Sequence, residues 1–212
     1  MHSHLLPFST FMALALGHGY IATPQMRVPG AASTSACGDL VTQAIIADRT
    51  SHVEGLPELA AEPGSGYTNS TACNLWLCRG LQFADNTANV QVWEAGEVVP
   101  VTVNITIPHL GYANVSIVDT RTNEIITPAG EAGEGGDEES GFLVNWPSGY
   151  ADEVEYYAGT LPKNQTAFNV TIPTTLGDRC ATAGDCVLQW WWYGTGAKQT
   201  YESCVDFTVA AS

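Results

Sequence analysis

The sequence predicts an all-β fold, an immunoglobulin/fibronectin-III-like antiparallel β-sandwich with long loops and short helices. In the second half of the chain, short segments alternate between apolar and polar residues, and proline and glycine fill the gaps between them. Several short strands at this spacing are typical of a sandwich. The segments with this pattern are 98–107, 113–118, 166–172, 186–192 and 203–209.

The spacing of these segments also indicates which of them pair. Segment 113–118 follows 98–107 after a short turn, so we expect the two to form a hairpin. Segments 186–192 and 203–209 are expected to form a last antiparallel pair, because a glycine-rich turn at Gly194 joins them.

The first half of the chain is less regular. Residues 40–47 predict a short helix and residues 55–72 a long loop. Segment 129–141 is acidic and of low complexity, and we interpret it as a loop inserted into the sandwich. Residues 18–212 are therefore expected to form a single domain.

The amino-terminal residues are typical of a targeting segment. A short apolar stretch ends in Ala15 and Gly17, the small residues that signal peptidase requires. Residues 1–17 therefore predict a signal peptide, and His18 is expected to be the first residue of a freely secreted, extracellular protein. No later apolar stretch is long enough for a membrane span.

Cysteine and glycosylation patterns agree with export. Six cysteines predict three disulfides, for which 15 connectivities exist. Cys180 and Cys186 are close enough for a local loop, although Cys204 competes. The other three cysteines are Cys37, Cys73 and Cys78, and five Asn-x-Ser/Thr sequons lie at Asn69, Asn104, Asn114, Asn164 and Asn169.

The charge balance limits the classes of partner. The chain has 22 acidic against 7 basic residues, a net charge of -15. This excess argues against nucleic acid and anionic membranes as partners and favours a neutral substrate. We expect a monomer that acts on a neutral polymer.

Residue His18 offers two nitrogen ligands once it is the first residue. Its α-amine and its imidazole can chelate one metal ion, and the α-amine loses its proton near neutral pH. The mature chain contains two further histidines. His109 follows a strong strand at a turn and is the preferred third ligand, whereas His52 lies in a polar segment and is interpreted as solvent-exposed. Three nitrogens in a planar arrangement indicate copper.

A second constellation opens the last strand. Gln199 and Tyr201 project to the same face of a strand because side chains alternate. Tyr201 could lie below the copper as an axial neighbour, and Gln199 could donate a hydrogen bond to an oxygen species. Taken alone, the pair is better explained as a half-buried sheet tyrosine beside a surface glutamine.

Together these residues resemble the lytic polysaccharide monooxygenases, in particular fungal auxiliary activity family 16, which has a chitin-binding type-4 domain. The opening His-Gly-Tyr at 18–20 and the Gln-x-Tyr element at 199–201 carry the resemblance. Further similar segments are spread over nearly the whole mature chain, at 36–38, 72–80, 83–90, 113–119, 180–186 and 199–204.

The resemblance implies a copper enzyme. His18 and His109 would hold one copper ion as a histidine brace, with Tyr201 axial and Gln199 as a nearby hydrogen-bond donor. The activity implied is oxidative cleavage of an insoluble polysaccharide, with cellulose first and chitin as an alternative, and with oxidation at C1. An external electron donor and hydrogen peroxide or dioxygen would be the co-substrates, and Tyr20, Tyr67 and Tyr112 are candidates for the surface that contacts the polymer.

Three other functions are compatible with the sequence, and the least specific of them is a structural cell-wall protein held by disulfides. An aspartate ligand in place of the Gln-x-Tyr pair would favour a non-catalytic copper-binding protein of the same fold. A mature amino terminus other than His18 would favour a chitin- or cellulose-binding module.

Overall fold

A computed structural model describes residues 18–68, 71–126 and 141–210, which form two β-sheets and a layer of short helices. The expected signal peptide 1–17, sequon residue Asn69 and the acidic segment, except Gly141, lie outside the described residues. The strands within them are β1 His18–Thr23, β2 Gln91–Trp93, β3 Val98–Ile107, β4 Gly111–Asp119, β5 Glu124–Ile125, β6 Phe142–Tyr150, β7 Ala167–Thr171, β8 Cys186–Gly194 and β9 Gln199–Val209. The α-helices are α1 Ala31–Cys37, α2 Asp39–Ala47, α3 Leu56–Ala61 and α4 Glu153–Ala158.

The strands form the predicted sandwich. The smaller sheet has the order β1-β3-β7, and the larger has the order β2-β9-β8-β4-β5, with β6 also paired to β4. Neighbouring strands are antiparallel except β2 and β9, which run parallel. The expected helix at 40–47 is α2, whereas the expected loop 55–72 contains helix α3.

The main core lies between the two sheets. Period-two alternation turns Val99, Val101, Val103 and Ile105 of β3 inward, where they are buried against the larger sheet. In the run Trp190-Trp191-Trp192, the first and third indoles are fully buried and the second is not. The tryptophan run is therefore a core strand whose middle residue lies on the opposite face of the sheet.

The outward face of β9 carries the helical layer through polar and covalent links. Alternate residues of this strand each contact the segment 27–79. These links explain how a layer with only a small apolar cluster of its own is fixed to the sheet. They are Thr200 to Glu54, Glu202 to Arg79, the disulfide Cys204–Cys78, and Asp206 to Arg27.

Two sequence predictions are settled by this topology. The hairpin of 98–107 with 113–118 is wrong, because β3 belongs to the smaller sheet and β4 to the larger one, and the turn at 108–110 carries the chain between them. The local disulfide Cys180–Cys186 is confirmed, and the other two bridges are Cys37–Cys73 and Cys78–Cys204. None of the helices within the described ranges is both long and apolar enough to cross a membrane.

Candidate metal centre

His18 begins strand β1 and is buried at the edge of the sandwich. Its imidazole Nε2 lies 2.7 Å from Oδ2 of Asp48, and its carbonyl accepts a hydrogen bond from Thr106. Glycine is favoured at position 19, because a Cβ there would lie 3.1 Å from the Trp190 ring and 3.3 Å from the Trp192 ring. The absence of a side chain at Gly19 thus lets the backbone of β1 pack closely against these two buried indoles.

His109 lies in the turn that carries the chain from one sheet to the other, and it is also buried. Its imidazole Nδ1 lies 3.3 Å from Oε1 of Glu153, the first residue of α4. A Cβ on Gly194 would lie 2.8 Å from Cβ of His109, so glycine is required at this position for the turn that carries His109 to pack against the end of β8.

Tyr201 and Gln199 lie on one face of β9, as the alternation predicts, and both are buried. The Tyr201 hydroxyl donates to Oε1 of Gln199 at 2.6 Å. The Tyr201 ring stacks on Trp192, with ring centroids 4.4 Å apart and planes 27° apart. The tyrosine is therefore held both at its ring and at its hydroxyl.

These four residues converge on one edge of the sandwich. His18 pairs with Ile107, two residues before His109, and Gly194, which touches the His109 turn, pairs with Gln199. The indole of Trp192 contacts the backbone beside His18 on one side and Tyr201 on the other. The sequence distances are large, but the strand ends bring all four side chains to the same end of the sheets.

The sequence analysis missed the carboxylates of this edge, Asp48, Glu54 and Glu153, and misjudged one histidine. His52 is wrongly interpreted there as solvent-exposed: its ring is half-buried and meets the Tyr201 ring edge-on at 6.4 Å. Its Nδ1 lies 3.3 Å from Glu54, whose carboxylate also accepts from the backbone and hydroxyl of Thr200. The acidic residue two positions after a histidine was the available signal, but it did not indicate a contact with a strand so distant in sequence.

Two of the carboxylates beside the histidines, Asp48 and Glu54, are held ionised. Burial pushes the pKa of Asp48 upward, but hydrogen bonds from Thr50 and the neighbouring His18 outweigh it and leave the pKa below its usual value. Burial likewise raises the pKa of Glu54, and hydrogen bonds from His52 and Thr200 reverse the shift. Both groups are therefore charged acceptors over the whole range of mildly acidic and neutral pH.

A family model described as "Lytic polysaccharide mono-oxygenase, cellulose-degrading" matches residues 18–207. The chain belongs to the lytic polysaccharide mono-oxygenase family. The match starts at His18 and spans both histidines and the Gln-x-Tyr pair, so the edge described above lies within this family's domain.

Several solved structures are similar in architecture. A chitin-binding domain from Burkholderia pseudomallei is 12% identical, with 92% of this chain and 100% of that chain covered and a TM-score of 0.46. A family AA10 mono-oxygenase from Streptomyces lividans is 13% identical, with 90% and 99% covered and a TM-score of 0.45. A family AA15 enzyme from Thermobia domestica in the Cu(I) state is 17% identical, with 92% and 100% covered and a TM-score of 0.44. No curated protein sequence matches this chain significantly.

The donor set of this mono-oxygenase fits one copper ion. If each carboxylate accepts the proton of the ring nitrogen beside it, the lone pair lies on Nδ1 of His18 and on Nε2 of His109. Such carboxylate–histidine pairs are the usual support of a metal-binding imidazole. If His18 is the first residue of the mature protein, as the sequence predicts, its α-amine would bring the set to three nitrogens. Within the described residues, no cluster of three His, Cys, Asp or Glu side chains offers a metal site.

The loop that carries Asp48 is held by a buried arginine. The Arg79 guanidinium donates to the carbonyls of Asp48 and Arg49 and, at 2.6 Å, to the hydroxyl of Ser51. Its backbone N–H donates to Glu202, which neighbours Tyr201 in β9. One buried residue therefore connects the Asp48 loop, through its guanidinium, to the strand that carries Tyr201, through its backbone N–H.

Burial raises the pKa of Glu202 to about 8 and lowers that of Arg79 to about 10. A carboxyl with a raised folded-state pKa stabilises the fold fully below its unfolded value, here 4.5, and this contribution is lost as the pH rises through 8. We expect the free energy of unfolding to decline over this window by up to about 1.4 kcal/mol per pH unit through this group. Glu202→Gln should flatten the decline, as measured by urea unfolding at several pH values.

The exposed carboxylate Glu58 provides the matched control for this prediction. Glu58→Gln should reproduce the parent pH curve. If Glu202→Gln also reproduced that curve, the burial of an uncharged Glu202 would be contradicted.

Proposed function

We propose that this chain is a secreted, copper-dependent lytic polysaccharide monooxygenase of the family 16 type that cleaves cellulose, with oxidation at C1. The observation that carries the proposal is the pair of buried histidines at one sandwich edge, each with a carboxylate on one ring nitrogen. His18 through its amine and Nδ1, and His109 through Nε2, would hold a single copper ion. Copper at this position supplies one-electron chemistry with an external electron donor and hydrogen peroxide or dioxygen.

The residues of the chain position the reactants. Asp48 and Glu153 would fix the tautomer and the orientation of the two imidazoles. Tyr201, held between Trp192 and Gln199, would lie beside the bound copper and limit the approach of a further ligand from its side. The amide oxygen of Gln199 accepts a hydrogen bond from the Tyr201 hydroxyl, so the amide nitrogen is the end of this side chain that can donate to an oxygen species.

The protein edge at which these residues lie is exposed enough to contact the surface of an insoluble polymer. The elements that flank His109 expose three large apolar side chains, those of Ile107, Leu110 and Tyr157. Tyr157 also lines a shallow depression together with Glu153. Such a shallow, exposed and partly apolar site can contact a polysaccharide strand that remains part of a crystalline surface. Of the tyrosines expected at this surface, Tyr67 packs against the helical cluster, and Tyr112 lies on the outer face of the larger sheet.

The test is an assay on insoluble polysaccharide with ascorbate as the electron donor. The secreted protein loaded with copper is expected to release aldonic-acid oligosaccharides from cellulose, detected by mass spectrometry, and chitin should give far less product. The same protein stripped of copper is the control. Tight copper binding without any oxidised product from either polymer would favour a non-catalytic copper-binding protein, and absence of copper binding would favour a binding module.

A further inference from the structure

A groove of about 430 Å³ crosses the outer face of the larger sheet. Its floor is formed by alternate residues of β4, β8 and β6, in which Asn114 pairs with Trp191 on one side and with Asn145 on the other. Its volume lies in the range of roughly 300–1,000 Å³ that is typical of sites for small organic ligands. The groove is thus large enough for a short chain of sugar rings.

Aromatic rings form the walls of this groove. Trp76 is 50% exposed on the loop above the sheet, and Tyr112 is 39% exposed at the end nearest the His109 turn. The Tyr112 ring lies 5.6 Å from the Trp191 ring, which is itself stacked at 13° on Tyr193. Sugar rings present C–H groups on their faces, and these groups pack well on the negative face of an indole or a phenol.

The polar groups of the groove are all neutral. Among its lining residues within the described ranges, none is Asp, Glu, Lys, Arg or His, although the whole chain carries a net charge of -15. Side-chain amides come from Asn114, Asn123, Asn145 and Gln189. Amides both donate and accept, which suits the hydroxyl groups of an uncharged sugar.

One buried polar group in this floor lacks a partner. The hydroxyl of Ser116 makes no hydrogen bond within the described structure, although the residue is only 1% exposed.

We propose that the groove binds a neutral hexose oligosaccharide from outside the chain, as a second carbohydrate site that is separate from the histidine edge. The inference rests on the proposed function only in that both sites take the same class of substrate. The Tyr112 end of the groove is three residues from His109 along the chain, so a polymer strand held there would keep the enzyme close to its substrate.

Other occupants fit the groove less well. A second copy of the chain would add to the repulsion between acidic molecules and would cover amides with protein surface. A glycan on Asn114, whose side chain begins a sequon, would have to start from a residue that is 9% exposed. Both occupants predict results that differ from those of a free oligosaccharide.

The test is titration of copper-free protein with cellohexaose, followed by NMR of the tryptophan indole N–H groups. The signals of Trp76 and Trp191 should shift, whereas that of Trp93, buried in the core, should not. Trp76→Ala and Tyr112→Ala are expected to weaken the binding that these shifts report by at least about tenfold. Tyr157→Ala, which removes a 73% exposed ring beside His109, should leave it unchanged, and a galacturonate hexamer, being anionic, should not bind.

Several results would overturn the proposal. They are indole signals that stay fixed at saturating cellohexaose, equal affinity of Trp76→Ala and the parent, a glycan found on Asn114 by peptide mapping of the secreted protein, and a dimer abolished by Trp76→Ala. Because the titration needs neither copper nor reductant, an inactive protein can still pass it. Conversely, an active mono-oxygenase with an unused groove would fail it.

Discussion

A secreted protein that retains Gly17 before His18 should bind copper at least about 100-fold more weakly than the form that begins at His18. In the extended form, the nitrogen of His18 becomes an amide, whose lone pair is delocalised into the carbonyl group, so it can bind a metal only after losing its proton. The chelate ring between a free amine and Nδ1 is then lost, although the imidazole keeps its place against Asp48. The measurement is competition with a chelator of known affinity, with the Cu(II) EPR spectrum as a second readout.

The control for this experiment is an extension at the other end of the chain. One glycine added after Ser212 should leave both the affinity and the EPR spectrum unchanged. Equal thermal stability of the three metal-free proteins would show that the extension does not act through folding. If the form with Gly17 bound copper with unchanged affinity and spectrum, the amine would not be a ligand and the proposed function would lose its basis.

Alternation within strands allowed much of the fold to be predicted. Segments 186–192 and 203–209 read correctly as an antiparallel pair, and the same alternation correctly set Gln199 and Tyr201 on one face. Alternation assigns faces but not neighbours, which is why the hairpin of 98–107 with 113–118 was wrong. The reason is steric: Gly111 and Gly194 allow the 108–110 turn to cross between the sheets, since a Cβ on Gly111 would lie 1.8 Å from the Tyr193 carbonyl oxygen.

The candidate centre could be predicted only in part, since its proposed ligand residues carry a chemical signature but their supports do not. An amino-terminal histidine is recognisable in a sequence, whereas Asp48, Glu153 and His52 are ordinary polar residues until the fold brings them to the strand ends. The same applies to Arg79. It lies beside Cys78 in a segment where both residues have positive φ, of 58° and 54°, a conformation that costs non-glycine residues about 1–2 kcal/mol each. The Cys78–Cys204 disulfide and the hydrogen bonds of Arg79 hold this segment in place.

Replacing Arg79 with methionine should destabilise the metal-free protein by about 3–5 kcal/mol, or roughly 10 °C in melting temperature. Methionine fills a similar volume, so the loss comes from the carbonyls of Asp48 and Arg49 and the Ser51 hydroxyl, which lose a charged donor in a buried site. Since this loop carries Asp48 to His18, copper affinity measured well below the melting temperature should fall by about tenfold.

Arg121 makes the matched comparison, because it also faces two carboxylates, Asp119 and Asp185, but its side chain is 61% exposed. Exposed ion pairs contribute little, so Arg121→Met should leave the melting temperature and the copper affinity unchanged. Equal stability of the two variants would show that the buried hydrogen bonds of Arg79 do not hold the Asp48 loop. A destabilised Arg79→Met with full copper affinity would separate the two roles and assign Arg79 to the fold alone, because a residue that positions Asp48 must alter the metal site as well as the stability.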